Sequence, residues 1–150
     1  MSTKYRGTAA ETRALDTYIK LTRAAASVMD RTNRHLNDYN LTVSQFGVLE
    51  ALYHLGTMSQ VELARKLLSS TANITTVLQN LEKTGLISRV RDPEDQRYVR
   101  VSITESGRAL IERILPAHVA GIVEDLSILT PEEQETLGRL SRKLGRRMVE

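Results

Sequence analysis

The sequence of 150 residues contains no cysteine and no tryptophan, only one phenylalanine and only three prolines. Without cysteine, this chain can form no disulfide, thiolate metal site or iron–sulfur cluster, and it cannot sense oxidants through a thiol. The scarcity of aromatic residues argues against a stacking platform for single-stranded nucleic acid. No apolar run approaches the length of about 18 residues that a membrane span needs, and the N-terminus lacks the apolar core of a signal peptide. We therefore expect a soluble cytoplasmic protein with no membrane partner.

Motifs of the common enzyme classes are also missing from the sequence. It contains no phosphate-binding loop, nucleophile elbow, zinc-protease helix motif or dinucleotide fingerprint. The three histidines, His35, His54 and His118, do not have the spacing of a metal site. We therefore predict a protein that is not an enzyme and that uses no metal or cofactor.

Charge is modest overall but uneven along the chain. The net charge is +3, from 21 basic and 18 acidic residues. Residues 1–40 hold seven basic and four acidic side chains, residues 59–100 hold seven and five, residues 101–137 hold two and seven, and residues 138–150 hold five and one. Basic ends around an acidic segment permit a polyanionic partner without requiring one.

Apolar residues that recur every three or four positions predict four helices in the first half of the chain. The first covers residues 12–39, and the second begins at an N-cap at Ser44. The third follows a capping box of Ser59 and Glu62, and the fourth begins at the polar break at residues 69–71.

The hydrophobic period then changes from 3.6 to 2 over residues 86–91 and 98–103, which predicts two strands. The polar residues 92–97 predict a turn between them, and the resulting hairpin needs the helices for support. Helical spacing returns after Thr104, with Pro116 expected to kink or divide the first of two C-terminal helices. The predicted fold class is therefore mainly α with a small β-hairpin wing.

Two short helices, a tight break and a hairpin, in that order over residues 59–103, predict a winged helix-turn-helix. Hydroxyl and amide side chains on the second helix can contact bases and phosphates in the major groove of double-stranded DNA. A polar face that is simply solvated is the alternative. The predicted DNA contacts of this helix are Ser70, Thr71, Asn73, Thr75, Thr76 and Gln79.

The predicted turn places several acidic residues beside Arg97. A neighbouring carboxylate can hold the guanidinium in one orientation, which suits insertion into a narrow minor groove. Ordinary turn chemistry, with charges that serve only solubility, would produce a similar segment.

Taken together, five segments resemble the MarR family of bacterial transcriptional regulators. They are LARKLL at residues 63–68, Ser70, LEKTGLI at 81–87, RDPEDQR at 91–97 and TESG at 104–107. The resemblance covers nearly the whole chain. It implies a single unit over 1–150 with a winged helix-turn-helix DNA-binding part at 44–103 and a helical dimerisation part at 12–40 and 104–150.

The resemblance also implies a homodimer that binds a pseudopalindromic operator, most often as a repressor, and releases it when a small, often phenolic, molecule binds. Arg97 corresponds to the arginine that enters the minor groove, and Asp95 to the acid that orients it. Many members carry an arginine where this chain has Thr76, and residues 70–80 contain no basic residue. DNA binding is therefore expected to depend on uncharged side chains together with Arg89, Arg91 and Arg97.

Two further sets of residues complete the predictions. An apolar stripe on the last helix and the unusually long first helix both need a partner to cover them, which predicts dimer contacts at Leu15, Ile19, Leu137, Leu140, Leu144 and Met148. The aromatic or titratable residues best placed to line an effector pocket are Tyr18, His35, Phe46, Tyr53 and His54. Two alternative functions stay open: a winged-helix module that binds proteins, and a nonspecific architectural DNA binder.

Overall fold

The computed structural model describes residues 2–67 and 71–146, and it divides into two compact units. Unit 1 comprises Met1–Asn33 with His118–Glu150, and unit 2 comprises Arg34–Ala117. The elements in chain order are α1 (Ala9–Asn33), a 3₁₀ helix (Arg34–Tyr39), α2 (Val43–Leu55), β1 (Met58–Ser59), α3 (Gln60–Lys66), α4 (Thr71–Lys83), β2 (Ile87–Arg91), β3 (Val99–Ile103), α5 (Glu105–Leu126) and α6 (Pro131–Gly145). Of the predicted sites, Ser70, Met148 and the side chain of Thr71 lie outside the description.

Unit 2 contains a small antiparallel sheet on a helical core. The strand order is β1-β3-β2, with Arg89 opposite Val101 in the hairpin and Met58 opposite Val101 on the other edge of β3. The predicted two-stranded hairpin is thus part of a three-stranded sheet, because Met58 and Ser59 pair with the other edge of β3. The core beneath comes mainly from α2 to α5, including the fully buried Leu49, Leu81 and Ile111.

Three helix predictions need correction. The predicted helix over 12–39 changes to a 3₁₀ helix after Asn33 and ends at Asn40, whose positive φ of 54° accompanies a bond from the Leu41 N–H to the Leu36 carbonyl (3.2 Å). Helix α2 begins at Val43, two residues before the start that an N-cap at Ser44 would give. Its N-cap is Thr42 and not Ser44, because Gln45 returns a side-chain bond to Thr42 and completes a capping box.

Pro116 does not divide α5, which continues through it from Glu105 to Leu126. A proline removes one backbone N–H donor from a helix, and the remaining turns of a helix of 22 residues keep their bonds.

The hairpin is attached to α5 by residues of the segments LEKTGLI and TESG. Gly85 adopts a positive φ of 74°, and its carbonyl accepts a bond from the Thr104 hydroxyl (2.6 Å). The same hydroxyl accepts the N–H of Gly107 (3.1 Å), capping α5. A Cβ at Gly107 would collide with the Leu86 carbonyl, so only glycine permits this close approach. These contacts join the segments LEKTGLI and TESG in the fold.

Unit 1 consists of α1, the second half of α5 and α6. Arg31 on α1 forms an ion pair with Asp125 on α5 (2.6 Å), and Thr130 and Glu133 form a capping box that starts α6. Of the predicted dimer residues, Leu15 and Ile19 are half-buried, whereas Leu137, Leu140 and Leu144 are exposed. Among the described residues no single helix is long and apolar enough to cross a membrane, although α5 and α6 meet that test when taken together across a sharp bend.

Candidate nucleic-acid interface

Helices α3 and α4 form the helix-turn-helix, and α4 divides cleanly into two faces. Ile74, Leu78 and Leu81 are buried in the core of unit 2, so the helix cannot rotate without exposing them. On the other face Asn73, Thr76 and Gln79 are exposed, as the sequence predicts for residues that contact DNA. The fold therefore presents a polar, uncharged helix face of the kind that fits a major groove.

Thr75 differs from its neighbours on α4 because it is half-buried and bonded to α3. Its hydroxyl accepts a hydrogen bond from the side-chain amide of Gln60 (2.8 Å). The bond ties the two helices of the motif together, which adds a bracing role to the predicted DNA contact. Gln60 is absent from the sequence predictions because a polar residue in the first turn of a helix has no distinctive pattern.

The β2–β3 hairpin, the wing, carries the best-defined ionic contact in unit 2. The Arg97 guanidinium donates to both carboxylate oxygens of Asp95, with Nε at 2.9 and 3.2 Å and Nη2 at 2.7 Å, and the Arg97 backbone N–H donates to the same carboxylate at 3.1 Å. The Arg97 side chain is 84% exposed. Asp95 therefore holds Arg97 as predicted, while its contact with DNA stays a prediction.

The contact between Asp95 and Arg97 shifts the pKa of both groups. Hydrogen bonds from Arg97 lower the pKa of Asp95, and Asp95 raises the pKa of the Arg97 guanidinium. Both groups are consequently charged at neutral pH, so the wing tip presents a fixed guanidinium.

Arg89 and Arg91, also predicted as DNA contacts, have partners within the wing region. Arg89 pairs with Glu82 at the end of α4 (3.1 Å), lowering the pKa of that carboxyl, and its side chain is largely buried. Arg91 donates to the Gln96 carbonyl (2.8 Å) and so supports the turn. Both arginines brace the hairpin whatever they contribute to DNA binding.

One ion pair at the base of the wing is absent from the sequence predictions. Asp92 and Arg100 lie on opposite sides of the turn, with Arg100 Nε donating to Asp92 Oδ2 at 2.8 Å. Their separation of eight residues becomes a contact only when the hairpin register is known.

The predicted effector residues lie in both units. Tyr18 is exposed on α1 in unit 1. In unit 2, Phe46 is a core residue, His35 and Tyr53 are half-buried, and His54 is exposed. The Tyr53 hydroxyl donates to Glu112 (3.4 Å), and its ring lies edge-on to His54. Ligand binding by these residues stays a prediction.

Comparison with known proteins identifies the family. A model of the MarR family matches residues 41–99. The HTH-type transcriptional regulator MhqR of Bacillus subtilis is 35% identical over 133 residues, which cover 89% of this chain and 92% of that protein. The chain belongs to the MarR family of transcriptional regulators. The predicted resemblance and the mainly helical winged helix-turn-helix fold are thereby confirmed.

Two solved structures place this MarR-family chain among DNA-binding regulators. BpsR of Bordetella bronchiseptica, whose DNA binding is regulated by 6-hydroxynicotinic acid, has a TM-score of 0.79 and 29% identity, with coverage of 86% of this chain and 98% of BpsR. Sco3205 of Streptomyces coelicolor, a MarR family regulator solved in complex with DNA, has a TM-score of 0.83 and 25% identity, with coverage of 95% and 90%.

Proposed function

We propose that the protein is a homodimeric repressor that recognises a specific DNA sequence and releases it on binding a small hydroxylated aromatic molecule. The observation that carries the proposal is the wing, where Asp95 holds an exposed Arg97 guanidinium in a fixed geometry. A fixed guanidinium suits a narrow A·T-rich minor groove, where the negative potential is concentrated. The polar face of α4 supplies a second contact, in the major groove.

Dimerisation is proposed from unit 1. Leu137, Leu140 and Leu144 lie along one face of α6 and are exposed in a single chain. A second copy that covers this face would remove the apolar surface from water. A two-fold dimer presents two α4 helices to successive major grooves, so the site should be pseudopalindromic, with half-sites about 10 base pairs apart.

The effector is proposed from the ligand of a structural relative. BpsR is regulated by 6-hydroxynicotinic acid, a small hydroxylated aromatic acid. Tyr53 and His54 of this chain offer ring surface and hydrogen-bonding groups suited to such a molecule. Fluorescence anisotropy tests this step by measuring whether simple phenols and hydroxylated aromatic acids release bound DNA. If none of these compounds releases the DNA, the proposal of a ligand-released repressor fails and the protein would be a constitutive regulator.

The DNA-binding step is tested by selection of duplexes of about 30 base pairs, roughly three helical turns, from a random library with the purified full chain. The proposal expects an inverted repeat among the selected sequences. Equal affinity for selected and random duplexes would favour the nonspecific architectural alternative, and absence of any DNA binding would favour the protein-interaction module.

Arg97 is then tested on the selected duplex. Arg97→Ala should weaken binding and reduce the slope of log K against log salt by about 0.9 per subunit, or about 1.8 per dimer, because each guanidinium that neutralises a phosphate releases counterions. Arg142→Ala, which removes the same charge from α6, is the control. Unchanged affinity and slope for Arg97→Ala would exclude the wing from the interface.

A further inference from the structure

Asp92, at the end of β2, uses both carboxylate oxygens to organise the wing turn. Oδ1 accepts the backbone N–H groups of Glu94 (2.9 Å) and Asp95 (3.4 Å), which fixes the start of the turn. Oδ2 accepts the guanidinium of Arg100 on β3 (2.8 Å). A single side chain thus connects the turn backbone to the opposite strand.

The Asp92 carboxylate is well placed for this role because it is sheltered. Its side chain is 16% exposed, against 59% for Arg100. Hydrogen bonds from Arg100 and from the Glu94 backbone lower the pKa of Asp92, so it remains a carboxylate at neutral pH. Glu94, in the same turn, is exposed, and its side chain takes no part in these bonds.

The bonds lead from Asp92 to the wing tip in two steps. Asp92 fixes the backbone of Asp95, and the Asp95 carbonyl accepts the N–H of Tyr98 (3.0 Å), closing the turn. The Asp95 carboxylate then holds Arg97. The orientation of Arg97 therefore depends on the backbone that Asp92 organises, although Asp92 makes no bond to Arg97.

We propose that Asp92, held by Arg100, is a positioning residue for Arg97, and that it strengthens binding of DNA although its own charge opposes it. The inference rests on the proposed function, since it assigns Arg97 to the minor groove. Bulk electrostatics predicts the opposite sign, because removal of a carboxylate makes the protein more positive and should tighten binding to a polyanion.

The test compares Asp92→Ala with Glu94→Ala on the duplex selected above, since both substitutions remove one negative charge from the same turn. We expect Asp92→Ala to bind about tenfold more weakly, comparable with the loss of one or two hydrogen bonds, and Glu94→Ala to bind as tightly as the parent or more tightly. Equal or tighter binding by Asp92→Ala would overturn the proposal.

A double-mutant cycle separates positioning from a general structural effect. In an Arg97→Ala background, Asp92→Ala should change affinity by less than about twofold, because the group that it positions is gone. A full tenfold loss in that background would show that Asp92 acts independently of Arg97 and would overturn the proposal.

Two further measurements separate the turn mechanism from misfolding of the variant. Asp92→Asn keeps an oxygen for the turn N–H groups, so it should recover most of the affinity, and failure to recover it would contradict the turn mechanism. In the free protein, the Arg97 Nε–H NMR signal should move toward that of an unpaired arginine in Asp92→Ala while the remaining amide spectrum is retained.

If Arg97→Ala weakens binding and Asp92→Ala does not, only this inference fails, whereas a library without a preferred duplex would refute the proposed function.

Discussion

The two units of the chain differ in how far they bury their apolar side chains. Among the described residues, every buried apolar side chain lies between Leu36 and Ile114, within unit 2. In the described part of unit 1, only Thr32 and His118 are buried to the same degree, and Val123, Ile128 and the leucines of α6 are exposed. Unit 2 therefore has a core of its own, whereas unit 1 has helices whose apolar faces are open in a single chain.

The two units therefore obtain their stability from different sources. Burial of apolar surface is the main favourable contribution to folding, so unit 2 can be stable within one chain. Unit 1 has helix caps and the ion pair between Arg31 and Asp125, but such surface contacts contribute little. The unit predicted to bind DNA thus has its own buried core, and the unit proposed to form the dimer is expected to gain stability from assembly.

The largest effect is expected from charges placed on the exposed face of α6. Complete burial of an exposed leucine is worth about 1.5–3 kcal/mol. Leu140 and Leu144 are 50% and 57% exposed in a single chain, and a dimer would cover two copies of each. Their joint replacement by glutamate should therefore cost about 3 kcal/mol or more. Light scattering at micromolar concentration should then show monomer or aggregate instead of dimer. Arg142→Glu, on the opposite side of the same helix, changes the net charge by the same amount and should remain dimeric. A dimer in the double variant would mean that this face is not the interface.

Much of the fold could be predicted because local signals agree with the tertiary structure. The Ser59–Glu62 capping box, the strands over 86–91 and 98–103 and the start of α6 at Pro131 all depend on neighbours in sequence, and each appears within a residue or two of its predicted place. The pairing of residues 58 and 59 with β3 could not be predicted, since a two-residue strand has no periodicity.

The residues of the candidate site also divide into contacts that are visible in the sequence and contacts that are not. Asp95 and Arg97 are two residues apart, so their pairing is visible in the sequence. Asp92 with Arg100, Glu82 with Arg89 and Gln60 with Thr75 are seven to fifteen residues apart, and they meet only after the strands have paired or the helices have packed. The groups predicted to contact DNA can therefore be read from the sequence more readily than the groups that hold them in place.

An intermediate effect is expected from Asn73→Ala on the exposed face of α4. If the Asn73 amide contacts an adenine bidentately, its loss should cost about 1–3 kcal/mol on the selected duplex and relax preference at one base position. The oligomeric state should not change, because α4 and α6 belong to different units. Asn80→Ala is the matched control, because it removes the same amide two turns further along α4, outside the predicted contacts, and it should leave the base preference unchanged. An equal loss on selected and random duplexes would show that Asn73 does not contribute to base recognition.

The smallest effect concerns how the carboxylates of the two units respond to pH and salt. Arg97 lowers the pKa of Asp95 in unit 2, whereas the backbone and hydroxyl of Thr8 lower the pKa of Glu11 in unit 1. A carboxylate with a lowered folded pKa stabilises the fold at any pH above its ordinary value of about 4, and this contribution disappears as the pH falls through the lowered value. Wing geometry should therefore be constant from about pH 8 to 5.

High salt distinguishes the two causes of a lowered pKa, the ion pair at Asp95 and the uncharged hydrogen bonds at Glu11. Because Arg97 is exposed, about 1 M salt, with a Debye length of about 3 Å, should screen the ion pair and raise the pKa of Asp95 toward its ordinary value. Glu11 accepts bonds from uncharged groups, so its pKa should change less. Carboxyl ¹³C NMR titrations at low and high salt measure both residues in one sample. Equal salt shifts at Asp95 and Glu11 would mean that the wing arginine is not held by charge, and the geometry of the guanidinium would then rest on the turn backbone alone.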